Sequence, residues 1–167
     1  MIDAELRQAA KTLLALCRSR GLRIATAESC TGGLVAGALT EIAGSSDVVD
    51  RGFVTYSDAA KEAMLKVPAA TLKRHGAVSA ETAIAMAVGA LKQSQADLAV
   101  AITGIAGPGG GSKAKPVGLV HFAAARRDGR RIERRRLFGK IGRRRVRLKS
   151  VAEALKLLGI LAQDAPA

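Results

Sequence analysis

Leu22-Arg23-Ile24-Ala25-Thr26-Ala27 is an apolar run of strand character. Glu28-Ser29-Cys30-Thr31-Gly32-Gly33 follows it as a polar turn closed by two glycines, and Leu34 to Ile42 is an apolar stretch of helical length. Strand, tight glycine turn and helix in succession predict an α/β protein. Working outward, residues 3–19 place Leu6, Ala9, Ala10, Leu13, Leu14 and Leu16 on one helical face, and Gly21 ends that helix. Val48 to Tyr56 is rich in Val, Phe, Thr and Tyr and reads as the next strand. Ser57 or Asp58 caps a short helix through Lys61 and Leu65, Pro68 opens another, and Ser79 caps a long alanine-rich one. Asp97 to Thr103 is a strand of the buried type that feeds the glycine-rich loop Gly104 to Gly111. Val117 to Ala125 and Ile132 to Phe138 flank Asp128-Gly129 as a β-hairpin, and a last helix runs from Arg143 to Leu161. The expected fold is a three-layer α/β/α sandwich, with a mixed sheet because of the hairpin. At 167 residues the chain is expected to be one domain, residues 1–167.

The core has to be built from Ala, Leu, Val and Ile, because Trp is absent and there are three Phe and one Tyr. That argues against a base-stacking surface for single-stranded nucleic acid. Thirteen Lys and Arg against Asp128 and Glu133 make residues 126–149 carry +11 of the chain's +13. Such a run attracts phosphate-bearing metabolites or nucleic acid, and its plainest reading is a solvated face. Cys17 and Cys30 form no CxxC pair and have no His nearby in sequence, so neither a zinc site nor a disulfide framework is expected. Residues 1–20 are amphipathic and charged rather than a secretory leader, and no apolar run approaches membrane-spanning length. The expected location is the cytoplasm, with no membrane partner.

Three segments carry polar residues that a fold alone does not require. Ser29 stands in a strand-to-helix turn, where it would attack a carbonyl while the amides of Cys30 and Thr31 receive the oxyanion. Read locally, Ser29 or Thr31 is a helix cap sooner than a nucleophile, and the segment does not match GxSxG. A serine nucleophile needs a base, and neither His75 nor His121 stands out. Lys61 serves if burial or neighbouring cations lower its pKa, with Tyr56 to relay a proton. Ser57 and Lys61, four residues apart, make a rival Ser–Lys pair without the glycine turn. The loop from Thr103 to Gly111 matches neither the Walker A nor the GxGxxG pattern, and reads as a ligand loop or a structural turn.

Taken together the segments are specific. Thr26 to Gly33, Val54-Thr55-Tyr56-Ser57 with Lys61, Gly76-Ala77-Val78-Ser79, Thr103 to Gly111 and Lys115-Pro116-Val117-Gly118 occur in this order over nearly the whole chain. They resemble the C-terminal domain of the competence/damage-inducible protein CinA. Full-length members carry an N-terminal domain resembling molybdopterin-binding proteins, which is not expected here. The resemblance implies a metal-independent amidase, without cofactor, that converts nicotinamide mononucleotide and water into nicotinate mononucleotide and ammonia in pyridine-nucleotide recycling. By matching positions it implies Ser29 as nucleophile, Lys61 as base and Tyr56 as an assisting hydroxyl. Cys30, Thr31 and Gly32 would be oxyanion donors. Glu28, Thr103, Gly104, Gly107, Gly109 and Gly110 would face the substrate, and Arg143 its phosphate. Lys66, Lys113, Arg144 and Arg145 depart from the pattern without removing a catalytic group. The partner is then a small nucleotide and the assembly a homodimer. Competing readings are a catalytically silent nucleotide sensor and a DNA-associated protein.

Overall fold

The computed structural model describes residues 2–163. Its sheet contains β1 (Ile24–Glu28), β2 (Val49–Val54), β3 (Leu98–Gly104), β4 (Leu119–Arg126) and β5 (Arg131–Leu137), in the order β2-β1-β3-β4-β5. β1 lies parallel to β2 and β3, while β3–β4 and β4–β5 are antiparallel. Helices α1 (Ala4–Ser19), α2 (Leu34–Thr40) and α6 (Arg143–Gln163) cover one face of the sheet. Helices α3 (Asp58–Leu65), α4 (Ala69–His75) and α5 (Ala80–Lys92) cover the other. This is the three-layer mixed sandwich expected, with the strand and helix limits displaced by one to three residues at most ends. Ala9, expected on the inner face of α1, is exposed, and Cys17 takes its place in the buried stripe.

The two faces of the sheet are built differently. Towards α1 and α6 the strands present Ile24, Leu98, Val100, Ile102, Val120 and Phe122. Towards α5 they present alanines at 25, 27, 99, 101, 123 and 125. Alternation along each strand sends successive residues to opposite faces, so one face is bulky and the other smooth. α5 exploits the smooth face with Ala83, Ala87 and Ala90 of its own, which explains how a core with so few aromatics closes. α3 in turn presses on α5 at Gly89, where a Cβ would stand 2.0 Å from the Leu65 carbonyl oxygen. Only glycine permits that approach.

The basic stretch is largely the solvated face that its composition indicates, with nine of its thirteen cations exposed, but several of its arginines also tie elements together. Arg127 donates to the carbonyls of Leu91, Ser94 and Ala96, closing the end of α5. Arg126 holds the Leu161 carbonyl near the end of α6, and Arg136 grips Glu153 through two bonds of 3.2 and 3.1 Å. Arg134 joins the same carboxylate at 3.6 Å. On the outer strand β5 these charges also discourage pairing with another sheet edge. No helix among the described residues is long and apolar enough to cross a membrane.

The order of connections decides where a ligand can bind. From β1 the chain passes through α2 on one face to β2, then returns through α3–α5 on the other face to β3. The crossovers leave the carboxyl ends of the neighbouring strands β1 and β2 towards opposite faces, which leaves a crevice there. Ser29, Tyr56 and Thr103 stand at the carboxyl ends of β1, β2 and β3.

Candidate active site

β1 ends at Glu28, and the Ser29 amide extends its ladder by one bond to the Ile102 carbonyl, 2.9 Å away. The chain then reverses through Gly32 and Gly33, at φ +60° and +92°. This left-handed backbone favours glycine and delivers the chain into α2. Gly33, at the N-cap position, has no side chain to offer. Glu28 performs that function from within β1. Its carboxylate accepts from the amides of Gly33, Val35 and Ala36 at 3.1, 3.0 and 2.8 Å, and from the Thr26 hydroxyl at 3.2 Å. Two expectations are corrected here. Neither Ser29 nor Thr31 caps α2, and Glu28 is wholly buried beneath the turn, with no face towards a substrate.

Freed from capping, the Ser29 hydroxyl points to Lys61. The Lys61 amine lies 3.3 Å from Ser29 Oγ, 3.0 Å from the Thr55 carbonyl and 3.4 Å from the Tyr56 carbonyl. Lys61 is fully buried, and this desolvation lowers its pKa from the usual lysine value of 10.5, only partly opposed by Asp58 and Cys30. Two carbonyls and one hydroxyl occupy three hydrogen-bonding directions of the amine, and no carboxylate is hydrogen-bonded to it. The rival serine is accounted for as well. Ser57 Oγ accepts from the Ala60 amide at 3.0 Å as the N-cap of α3. The Cys30 thiol beside Ser29 is pushed up to about 12 by burial, which leaves it inert as a nucleophile.

Around this pair lies a cleft of about 280 Å³. It is lined by Ser29, Cys30, Tyr56, Lys61, Thr103 and Arg143, by Gly104, Gly107, Gly109 and Gly110 of the loop, and by the Ala77–Val78 segment. Ala77, Val78, Ile105 and Ala106 were not singled out from sequence as site residues, since apolar side chains in a loop carry no chemical signature. The Thr55 carbonyl was missed because a backbone group is the same at every position. The Thr103 hydroxyl donates to the Ala77 carbonyl at 2.7 Å, so it braces the wall rather than facing the cleft freely.

Two more expected roles change. Gly32 is no oxyanion donor, because its amide is taken by the Ser29 carbonyl at 3.0 Å. The amides of Cys30 and Thr31 make no hydrogen bond to another residue among those described. The Tyr56 hydroxyl does not reach Ser29 or Lys61. Its side chain is 59% exposed, and the hydroxyl accepts from Arg143 at 2.9 Å. Arg143, the first residue of α6, also donates to the Gly107 carbonyl at 3.0 Å and so ties β2's exit to the glycine loop across the mouth of the cleft. One turn later Arg147 donates to the Thr31 carbonyl at 2.7 Å, which anchors the Ser29 turn to α6.

Residues 6–161 match the family described as the CinA C-terminal domain. The chain belongs to the CinA C-terminal domain family. Among its CinA relatives, the nicotinamide-nucleotide amidohydrolase PncC of Escherichia coli K12 is 51% identical over 158 residues, 95% of each chain. The Shigella flexneri protein of the same name is 50% identical over the same share. Solved CinA structures superpose closely. The competence/damage inducible protein CihA of Agrobacterium tumefaciens has a TM-score of 0.95 at 52% identity, covering 98% of this chain and 99% of that one. The competence damage-inducible protein A of Klebsiella pneumoniae has a TM-score of 0.91 at 37% identity, covering 96% and 99%.

Proposed function

We propose that this protein hydrolyses the carboxamide of nicotinamide mononucleotide to nicotinate mononucleotide and ammonia, with Ser29 as nucleophile and Lys61 as base. The observation that carries the reading is the buried Lys61 amine 3.3 Å from Ser29 Oγ at the crevice of the sheet. The relatives named nicotinamide-nucleotide amidohydrolase supply the substrate. Lys61, neutral and held by two carbonyls, takes the hydroxyl proton as Ser29 Oγ bonds to the carboxamide carbon. The amides of Cys30 and Thr31 hold the oxyanion. Collapse of the tetrahedral species breaks the C–N bond, and the proton on Lys61 passes to the leaving ammonia. Water then attacks the acyl-serine, giving its proton to Lys61, and Ser29 leaves with that proton. Tyr56 acts here as a wall of the cleft and a ligand to Arg143, not as a proton relay. Arg143 uses two of its five N–H donors on Tyr56 and Gly107, which leaves three for the substrate phosphate. A dimer in the cytoplasm, serving pyridine-nucleotide recycling, completes the proposal.

The test is ammonia release from nicotinamide mononucleotide beside nicotinamide and its riboside. Turnover of the mononucleotide alone is expected, and equal turnover of the riboside would remove Arg143 from phosphate binding. The rate also reports on the base. Lys61 accepts a proton only when neutral, and its pKa is lowered, so kcat should rise with pH through a midpoint below 10.5 and fall as acid restores the ammonium. A Lys61→Met variant should lose this limb together with about 10²–10⁴ of the rate. An unchanged profile in that variant means that Lys61 is not the base.

A further inference from the structure

A second groove runs between α3–α4, α5 and the β4–β5 hairpin, sharing no lining residue with the Ser29 cleft. It comprises two clefts of about 490 and 280 Å³ that meet at Val88, Lys92 and Arg131, which line both. Its floor is aliphatic, from Leu65, Ile84 and Val88. The Lys92 and Arg131 side chains are exposed and make no hydrogen bond or ion pair among the described residues. Glu81, the one carboxylate lining the groove, faces His75 at 3.4 Å. Two unpaired cations at the waist of an apolar trough call for an anion with an apolar body. A second copy docked by this face about a two-fold axis through the waist would set Lys92 and Arg131 against their own counterparts, an unfavourable juxtaposition.

We propose that this groove is a second binding site, for a small aliphatic anion whose phosphate or carboxylate sits between Lys92 and Arg131 and whose chain lies on Leu65, Ile84 and Val88. The groove is lined by no Phe, Tyr or Trp, and its one imidazole, His75, is turned to Glu81, which favours an aliphatic body over a nucleobase. Calorimetric titration of the whole protein at about 0.15 M salt tests this with hexyl phosphate and octanoate as probes, against inorganic phosphate and hexanol. At least one probe should bind with 1:1 stoichiometry, and inorganic phosphate about tenfold or more weaker, because it lacks the chain. Binding of only one probe assigns the head group. The double variant Lys92→Glu with Arg131→Glu, at exposed positions, should lose about tenfold or more of that affinity. Its turnover of nicotinamide mononucleotide should be unchanged. A Val88→Ser variant, which removes apolar surface without adding charge, should weaken the probe without altering phosphate binding. Equal affinities for hexyl phosphate and inorganic phosphate would overturn the proposal. So would probe binding that survives the double variant, or that is lost instead in Arg143→Ala, which would put the probe in the catalytic cleft.

Discussion

Replacement of Ser29 by Ala is expected to cut ammonia release from nicotinamide mononucleotide by about 10³-fold or more while leaving the protein folded. Among the described residues the side-chain oxygen has one hydrogen-bonding neighbour, the Lys61 amine, and that amine keeps both its carbonyl acceptors when the hydroxyl goes. Removal of a hydroxyl so placed creates little void and orphans no backbone group, so the melting temperature should move by no more than about 2 °C. Substrate binding should survive within about threefold, since the glycine loop and Arg143 are untouched. The measurement is single-turnover kinetics beside calorimetric binding of the mononucleotide. The neighbouring thiol of Cys30 offers no substitute nucleophile, because burial holds it protonated. Full retention of activity in the folded variant would show that the chemistry runs elsewhere, and the Ser29–Lys61 contact would then be only a core hydrogen bond.

Glu28→Ala is expected to produce the largest loss of stability of any single substitution in the site. Three amides and one hydroxyl lose their acceptor in a place that water does not reach. Each buried donor left unmatched costs about 1–3 kcal/mol, and partial relaxation of the turn brings the total to about 3–5 kcal/mol. For a chain of this size that corresponds to about 6–20 °C in melting temperature. Glu28→Gln keeps the shape but turns an N–H₂ group towards backbone N–H donors, so it should fall between the two. Activity per folded molecule should drop too, because the same turn aims Ser29 at Lys61. Urea unfolding followed by circular dichroism measures the first effect. A loss under about 1 kcal/mol for Glu28→Ala would mean that α2 is held by something other than this carboxylate.

These two residues mark the boundary of what the sequence discloses. The strand–turn–helix at residues 22–42 was legible because its signals are local: apolar runs of different length, separated by two glycines. The same holds for Ser57 and Ser79 as caps, each satisfied three residues further on. Family pattern rather than local chemistry pointed to Ser29 and Lys61. Glu28 was misread because its oxygens turn back beneath the strand, and nothing in a one-dimensional pattern records that direction. Tyr56 was misread for a related reason. Its backbone carbonyl contacts the lysine, while its hydroxyl is held 87 residues further along the chain by Arg143.

The basic stretch shows the limit most clearly. Most partners of Arg126, Arg127, Arg143 and Arg147 are backbone carbonyls. A carbonyl is the same at every position, so no pattern of side chains announces which one an arginine will meet. By itself the sequence determined the order of elements, the alternation that makes one sheet face bulky and the other smooth, and the glycines that permit the turn after β1. Those follow from periods of two and 3.6 residues and from φ angles that few residues adopt. The tertiary structure alone decided that Ser29 and Lys61, 32 residues apart, would meet, with the lysine buried, at the edge of a cleft. That depends on crossovers leaving β1 and β2 on opposite faces of the sheet, and it is the resulting burial that lowers the pKa of an otherwise ordinary lysine.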